Sequence, residues 1–166
     1  MKKIVVMISG SGSNLEAIIK ACNTKTIHGN IVYVISNNPN AYGIQRAKKY
    51  NVPVKIINHE EYTKRIDFDN ALKQFLDNLD VDLIILAGFM RILGKNITEK
   101  FFGKMINLHP SLLPLYPGLN THEQAMENKD KYHGISIHYV TPELDAGPLI
   151  AQGKILINSD EDIDEL

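Results

Sequence analysis

Asn107 and His109 stand two residues apart at the end of an apolar run, Met105 to Leu108. On an extended chain, side chains two apart point to the same side. An amide and an imidazole therefore face one place. The residues that follow carry Pro110, Pro114, Pro117 and Gly118. Each proline fixes its own φ and disfavours helix in the residue before it, so this segment is a stiff loop. Farther on, Thr141-Pro142-Glu143-Leu144-Asp145-Ala146-Gly147-Pro148 sets two acids between two prolines. Asn107, His109 and Asp145 together supply an amide donor, an imidazole and a carboxylate, and no nucleophile. Such a set suits a reaction whose substrate brings its own nucleophile, as an amine does in acyl transfer. Asn107 would donate to a developing oxyanion. His109, protonated, would stabilise that oxyanion and pass a proton. Asp145 nearby would favour the charged ring, because an opposite charge does so. Structural use of the same three residues is the alternative that spacing leaves open.

Other chemistries fit less well. His122, His133 and His138 show no metal-ligand spacing, and Cys22 lies far from them. A serine-hydrolase elbow needs G-x-S-x-G, which occurs only around Gly10 to Gly12 in the wrong frame. The turn Ser9-Gly10-Ser11-Gly12-Ser13-Asn14 follows the apolar run Ile4 to Ile8 and precedes a helical pattern at Leu15, Ile18, Ile19 and Cys22. A glycine-rich turn from strand to helix presents backbone N–H groups and suits an anion. A dinucleotide fold is opposed twice: the third glycine would fall at Leu15, and the next strand ends in Ser36-Asn37-Asn38 with no acid for a ribose. No lysine follows Gly12 where a Walker loop needs it. The turn is read as a site for one phosphate, with a plain tight turn as the alternative. Gly88-Phe89-Met90-Arg91-Ile92-Leu93-Gly94 carries apolar residues past the end of a strand, which suits a pocket for a flat ligand or, alternatively, ordinary core. Arg65 reads, on its pattern alone, as a solvated face residue.

The elements that must position these groups alternate in type. Strands are expected at Ile4 to Ile8, Ile31 to Ser36, Val54 to Ile57, Asp82 to Ala87 and Met105 to Leu108. A sixth places Ile135, Ile137 and Tyr139 on one face and Ser136 and His138 on the other, and a seventh spans Leu149 to Ile157. Helical stretches fall between them: a short one through Lys49, one around Ile97 to Phe102, and a longer one from about Glu60 to Leu79. In the longer one Tyr62, Ile66, Leu72, Phe75, Leu76 and Leu79 are expected to face the core. Thr121-His122-Glu123-Gln124 has the form of a capping box opening a helix to about Asn128. Ser159-Asp160-Glu161-Asp162 has the cap and acidic first turn of another, which looks cut short at the chain end. The pattern predicts a three-layer α/β fold with a mostly parallel seven-stranded sheet and a Rossmann-like N-terminal half. Ligands in such sheets sit at the carboxyl ends of strands. The glycine turn, the Gly88–Leu93 stretch and Asn107–His109 all fall there.

The chain has 166 residues, which predicts one domain. Its net charge of −1 gives no electrostatic reason to expect nucleic acid or an acidic membrane. With Cys22 alone no intrachain disulfide forms, which fits a reducing compartment such as the cytoplasm. The run Ile4 to Ile8 is too short for a signal peptide, and no run is long enough to span a membrane.

The segments Ser9 to Leu15, Ala87 to Leu93, Asn107 to Gly118 and Glu143 to Pro148, in that order, resemble the phosphoribosylglycinamide formyltransferase family over essentially the whole chain. The resemblance implies formyl transfer from 10-formyltetrahydrofolate, a cosubstrate, to the amine of glycinamide ribonucleotide in purine synthesis, with no metal. By that likeness Asn107, His109 and Asp145 are catalytic, with His109 as proton donor. Gly12, Ser13 and Asn14 would hold the ribonucleotide phosphate. Arg65, Met90, Arg91, Ile92, Leu93, Asn107, Thr141, Pro142, Glu143, Leu144 and Asp145 would contact the folate, and His138 would lie close by. The expected partners are these two small molecules, with no nucleic acid and no membrane, for a monomer or homodimer. A phosphate-binding half of about 1–100 would precede a catalytic and folate-binding half of about 101–166. The family continues past this chain's end with a long helix and a strand that include a glutamate on the ribose. This form is therefore expected to bind folate and turn over poorly. The neighbouring formyltetrahydrofolate hydrolases carry a regulatory domain in front and a second histidine after the catalytic one. Here the chain opens on a strand and Pro110 follows His109. A non-catalytic ligand-binding form is the remaining alternative.

Overall fold

The computed structural model describes residues 1–158, 162 and 163. Of the helix start read at Ser159 to Asp162, all but Asp162 lies outside the described residues. Seven strands form one sheet: β1 (Lys2–Ile8), β2 (Gly29–Ser36), β3 (Val54–Ile56), β4 (Leu83–Ala87), β5 (Met105–His109), β6 (Tyr132–Tyr139) and β7 (Leu149–Leu156). Their order is β3-β2-β1-β4-β5-β6-β7. The pairs from β3 through β5 are parallel, while β5/β6 and β6/β7 are antiparallel. The chain leaves β1 toward one edge and returns at β4 on its other side. That reversal opens a crevice at the carboxyl ends of β1 and β4, where such sheets bind ligands.

The connecting helices are α1 (Ser13–Asn23), α2 (Gly43–Lys49), α3 (Arg65–Asp77), α4 (Lys95–Lys100) and α5 (Thr121–Glu127). Side chains along β1 alternate between two cores. Val5 and Met7 pack with Phe68, Leu72 and Leu76 of α3. Ile4, Val6 and Ile8 pack with Leu15 and Ile19 of α1. A strand covered on both faces has no polar face, which is why the run Ile4 to Ile8 shows no alternation.

Three expectations about the elements are corrected. The helix expected from Glu60 to Leu79 is two elements, a 3-10 turn at His59–Glu61 and α3. The Asn58 side chain accepts from the Glu60 amide at 3.2 Å, and Tyr62 is extended. An asparagine that captures a nearby amide competes with helix propagation. Ile66 does not face the core: it is 47% exposed, whereas Phe68 is 1% exposed. At 3.6 residues per turn, a residue two places from Phe68 lies on the far side of the helix. The capping box at Thr121 does not form either. Asn120, in the left-handed region at φ 57°, is the N-cap, and its side chain makes no cap bond. Thr121 is already helical, and its buried hydroxyl has no partner among the described residues. Asparagine tolerates that backbone shape, so the helix starts one residue earlier than the motif suggests.

β6 does have two faces, and the one carrying Ser136 and His138 is inside: both are buried, while Ile135 on the other face is exposed. All eight residues of β7 are exposed. Among the described residues, no helix is long and apolar enough to cross a membrane.

Candidate active site

β5 ends with Asn107 and His109 at the crevice, and the antiparallel register sets Asn107 opposite His138 and His109 opposite Ser136. The loop after β6 turns back on the strand end: Tyr139 N–H donates to the Pro148 carbonyl at 2.9 Å. Gly147 permits this, since a Cβ there would overlap the Tyr139 carbonyl. The fold-back delivers Asp145, itself in the left-handed region at φ 48°.

Asp145 is the hub. Its Oδ1 accepts from Asn107 Nδ2 at 3.3 Å, and its Oδ2 lies 3.3 Å from His109 Nδ1. The Gly118 amide donates to Oδ2 at 2.8 Å, and His138 Nε2 lies 3.6 Å from Oδ1. Burial alone would push this carboxyl up. The hydrogen bonds from His138 and Gly118, with the charges of His109 and His138, outweigh it and hold Asp145 below the usual carboxylate range. Burial likewise disfavours charge on His138, yet the bond to Asp145, the Tyr139 carbonyl and the Asp145 charge hold it above its ordinary value.

Hydrogen-bond chemistry fixes more. His138 Nδ1 donates to the Tyr139 carbonyl at 2.9 Å. Its Nε2 has two alternatives: a lone pair there takes the Asn107 N–H at 3.1 Å, and a proton there turns to Asp145. His109 Nε2 sits 2.8 Å from the Tyr116 carbonyl. A carbonyl only accepts, so Nε2 carries a proton. When Nδ1 donates to Asp145 as well, the ring is the imidazolium.

The proline loop is held from behind. Tyr116, at φ 54°, donates its hydroxyl to Asp130 at 2.6 Å and accepts from Asn128 at 3.1 Å. The bond to Asp130 raises the Tyr116 hydroxyl pKa. Ser136 Oγ donates to the Ser111 carbonyl at 2.7 Å and accepts from the Leu113 amide at 3.0 Å. Gln152 donates to the Leu113 carbonyl at 2.9 Å. None of Tyr116, Gly118, Ser136 or Gln152 stood out in the sequence as a site residue. Tyr116 and Gly118 entered only as members of the stiff loop, and Ser136 only in its alternation with His138.

A cavity of about 770 Å³ opens over the trio. Asn107, His109 and Asp145 contribute to its lining, Gly88 to Ile92 form one rim, and Leu119 to Glu123 another. A small annex of about 70 Å³ is lined by Arg91, Ile92, Leu93, Asn107, His138, Thr141, Glu143, Leu144 and Asp145. Pro142 lines neither. Arg65 is placed elsewhere, in a hollow of about 450 Å³ with Asp69 and Gly94. Asp69 is buried and accepts from the Gly94 amide at 2.8 Å. Burial raises its pKa against the opposing pull of that bond, Arg65 and Arg91. Gly12, Ser13 and Asn14 line neither cavity. They are tied to the rim through Ser9, whose amide donates to the Gly88 carbonyl at 3.0 Å. Ser9 Oγ accepts from the Met90 amide at 2.7 Å and donates to Asn37 at 2.6 Å. Among the described residues, no group of three or more His, Cys, Asp or Glu is placed to hold a metal ion.

A family profile described as formyl transferase matches residues 2–166. The phosphoribosylglycinamide formyltransferase of Haemophilus influenzae is 44% identical over 166 residues, which span 100% of this chain and 78% of that protein. That of Escherichia coli is 44% identical over 163 residues, 98% of this chain and 77% of the relative. Among solved structures, glycinamide ribonucleotide transformylase 1 of Symbiobacterium toebii superposes with a TM-score of 0.95 at 38% identity, covering 99% of this chain and 78% of that one. The phosphoribosylglycinamide formyltransferase of Coxiella burnetii, solved with CHES, has a TM-score of 0.92 at 48% identity and covers 98% and 76%.

Proposed function

The chain belongs to the formyl transferase family, and from that premise we propose that it transfers a formyl group from 10-formyltetrahydrofolate to the amine of glycinamide ribonucleotide in purine biosynthesis. One observation carries the reading: a carboxylate lies 3.3 Å from both an amide donor and an imidazole, in the lining of a cavity large enough for a flat cosubstrate.

The amine nitrogen attacks the formyl carbon and a C–N bond forms. The carbonyl electron pair moves onto oxygen. Asn107 Nδ2–H and the protonated His109 ring stabilise that oxyanion. Collapse breaks the bond between the formyl carbon and the folate nitrogen, and net one proton passes from the amine to that nitrogen. His109 is the donor in this exchange. Asp145, kept ionised, holds the charged ring in place. The substrate oxygen reaches His109 Nε2–H by taking the place of the Tyr116 carbonyl. Met90, Arg91, Ile92 and Leu93, with Thr141 to Asp145, would hold the folate, Arg65 its outer end, and Gly12, Ser13 and Asn14 the ribonucleotide phosphate. In this reading the chain is one domain, with the phosphate-binding half at about 1–100 and the catalytic half at about 101–166. It works in the cytoplasm as a monomer or homodimer.

Formyl-transfer assays on the wild type and on His109→Ala test the assignment. The variant is expected to lose about 10²–10⁴-fold in turnover, the usual worth of a positioned proton donor. Equal rates in both proteins remove the trio from the reaction. Formate release that ignores the ribonucleotide would instead mark water as the acceptor.

A further inference from the structure

The glycine turn does not shape itself. The Gly10 carbonyl accepts from the Gly43 amide at the start of α2, at 3.0 Å. The next carbonyl, of Ser11, accepts from Arg46 Nε of the same helix, at 2.9 Å. In a trans peptide the carbonyl and the following N–H point in opposite directions. Two successive carbonyls fixed on α2 therefore aim the N–H groups of Ser11 and Gly12 away from it. The first-turn amides of Ser13 and Asn14 follow them. Among the described residues, no backbone carbonyl accepts from the amides of Ser11, Gly12, Ser13 or Asn14. Such a run of unpaired amides is an anion-binding concavity. The turn is pressed onto α2 as well: Gly12 lies at φ 72°, and a Cβ on it would stand 2.6 Å from Gly43 Cα.

Arg46 is held for this task. Its Nη1 is ion-paired with Glu16, and its guanidinium lies 5.1 Å from the Tyr42 ring centroid. Glu16 is fixed in turn by the Tyr50 hydroxyl at 2.9 Å, with Lys20 at 3.4 Å and Lys49 at 3.9 Å. The one acid in the first turn of α1 is thus neutralised and does not oppose an anion there.

We propose that Arg46 is a positioning residue for the ribonucleotide phosphate: it touches no substrate and sets the direction of the amides that do. This rests on the reading of Gly12, Ser13 and Asn14 as the phosphate site. The planar fork can hold the Ser11 carbonyl and Glu16 together, and a lysine has one point charge for the two tasks.

Steady-state kinetics on Arg46→Gln and Arg46→Lys, with inorganic phosphate as a competing probe, test it. In Arg46→Gln the KM for the ribonucleotide and the Ki for phosphate rise by roughly tenfold or more, the scale at which misplaced binding groups are felt. The kcat and the folate dissociation constant stay at wild-type values, and Arg46→Lys falls between. If Arg46→Gln does not fold, Arg46→Lys decides on the same split. An unchanged KM overturns the proposal. So does recovery of the wild-type KM in Glu16→Gln/Arg46→Gln, which would show that charge and not amide direction had been lost. If phosphate fails to compete with the ribonucleotide on the wild type, the phosphate site itself is wrong, whatever Arg46 does.

Discussion

The glycine turn after β1 and the floor of the cavity at the end of β5 share one edge of the sheet and are held in opposite ways. In the turn, the protein grips carbonyl oxygens and leaves the amides unpaired. On the floor, the working side chains grip one another: Asn107, His109 and His138 all meet Asp145. The difference follows from the tasks proposed for the two regions. A phosphate is itself a charged acceptor, so a site for it must keep its donors free. A proton donor has to be kept charged and aimed before any substrate arrives, so it needs a built-in counter-charge. Damage to the floor should therefore appear in kcat, and damage to the turn in KM.

The largest expected effect that sharpens this contrast is at Asn107. Asn107→Ala is expected to lower kcat by about 10²–10³-fold, as loss of one oxyanion donor does, with the ribonucleotide KM little changed. A KM effect with intact kcat would place Asn107 among the binding groups and erase the division between the two regions.

A smaller effect is expected in stability against pH. The lowered pKa of Asp145 contributes stability that is present above the unfolded carboxylate pKa and lost as pH falls through the folded value. The raised pKa of His138 contributes stability that is present below the unfolded imidazole pKa and lost as pH rises through the folded value. The floor is therefore most stable between the ordinary carboxylate and the ordinary imidazole pKa, and weakens on either side of that window. Thermal melts from about pH 2 to about pH 9, which bracket the ordinary carboxylate and imidazole ranges, should show that plateau in the wild type and a flatter profile in Asp145→Asn. Parallel profiles in the two proteins would mean that the charge network contributes nothing to holding the floor.

The two regions also differed in how far the sequence revealed them. Asn107, His109 and the glycine turn follow directly from apolar runs, so strand periodicity located them. Asp145 needed only a proline-bounded loop. Their supports left no such mark. The Tyr116 carbonyl and the Gly118 amide are backbone atoms that any residue has. Arg46 reaches Ser11 from a helix 35 residues on, which no local pattern reports. The misplaced elements failed for local reasons. Asn58 captured an amide inside an expected helix, and Asn120 opened α5 one residue before the capping motif. Arg65, which sequence pattern alone left on a solvated face, is exposed and lies beside the buried Asp69, a partner that a helical pattern of apolar residues does not disclose.

Ser9 is where the comparison is most easily broken, because it belongs to both regions. Its hydroxyl holds the Met90 amide of the cavity rim at 2.7 Å, and its residue opens the glycine turn. Removing that hydroxyl leaves Asn37 Oδ1 and the Met90 N–H without their partner. Loss of such a bond costs about 1 kcal/mol, so Ser9→Ala should weaken each site by a factor of about five, not abolish it. Both KM values, for ribonucleotide and for folate, are expected to rise together while kcat stays within about twofold, because the bonds of Ser9 run to Asn37, Asn38, Gly88 and Met90 and not to Asn107 or His109. A change in the folate KM alone would mean that Ser9 serves the rim and the turn stands without it. A fall in kcat of the size expected for Asn107→Ala would mean that turn and floor are one mechanical unit, and that gripping carbonyls in one and side chains in the other is no real division of labour.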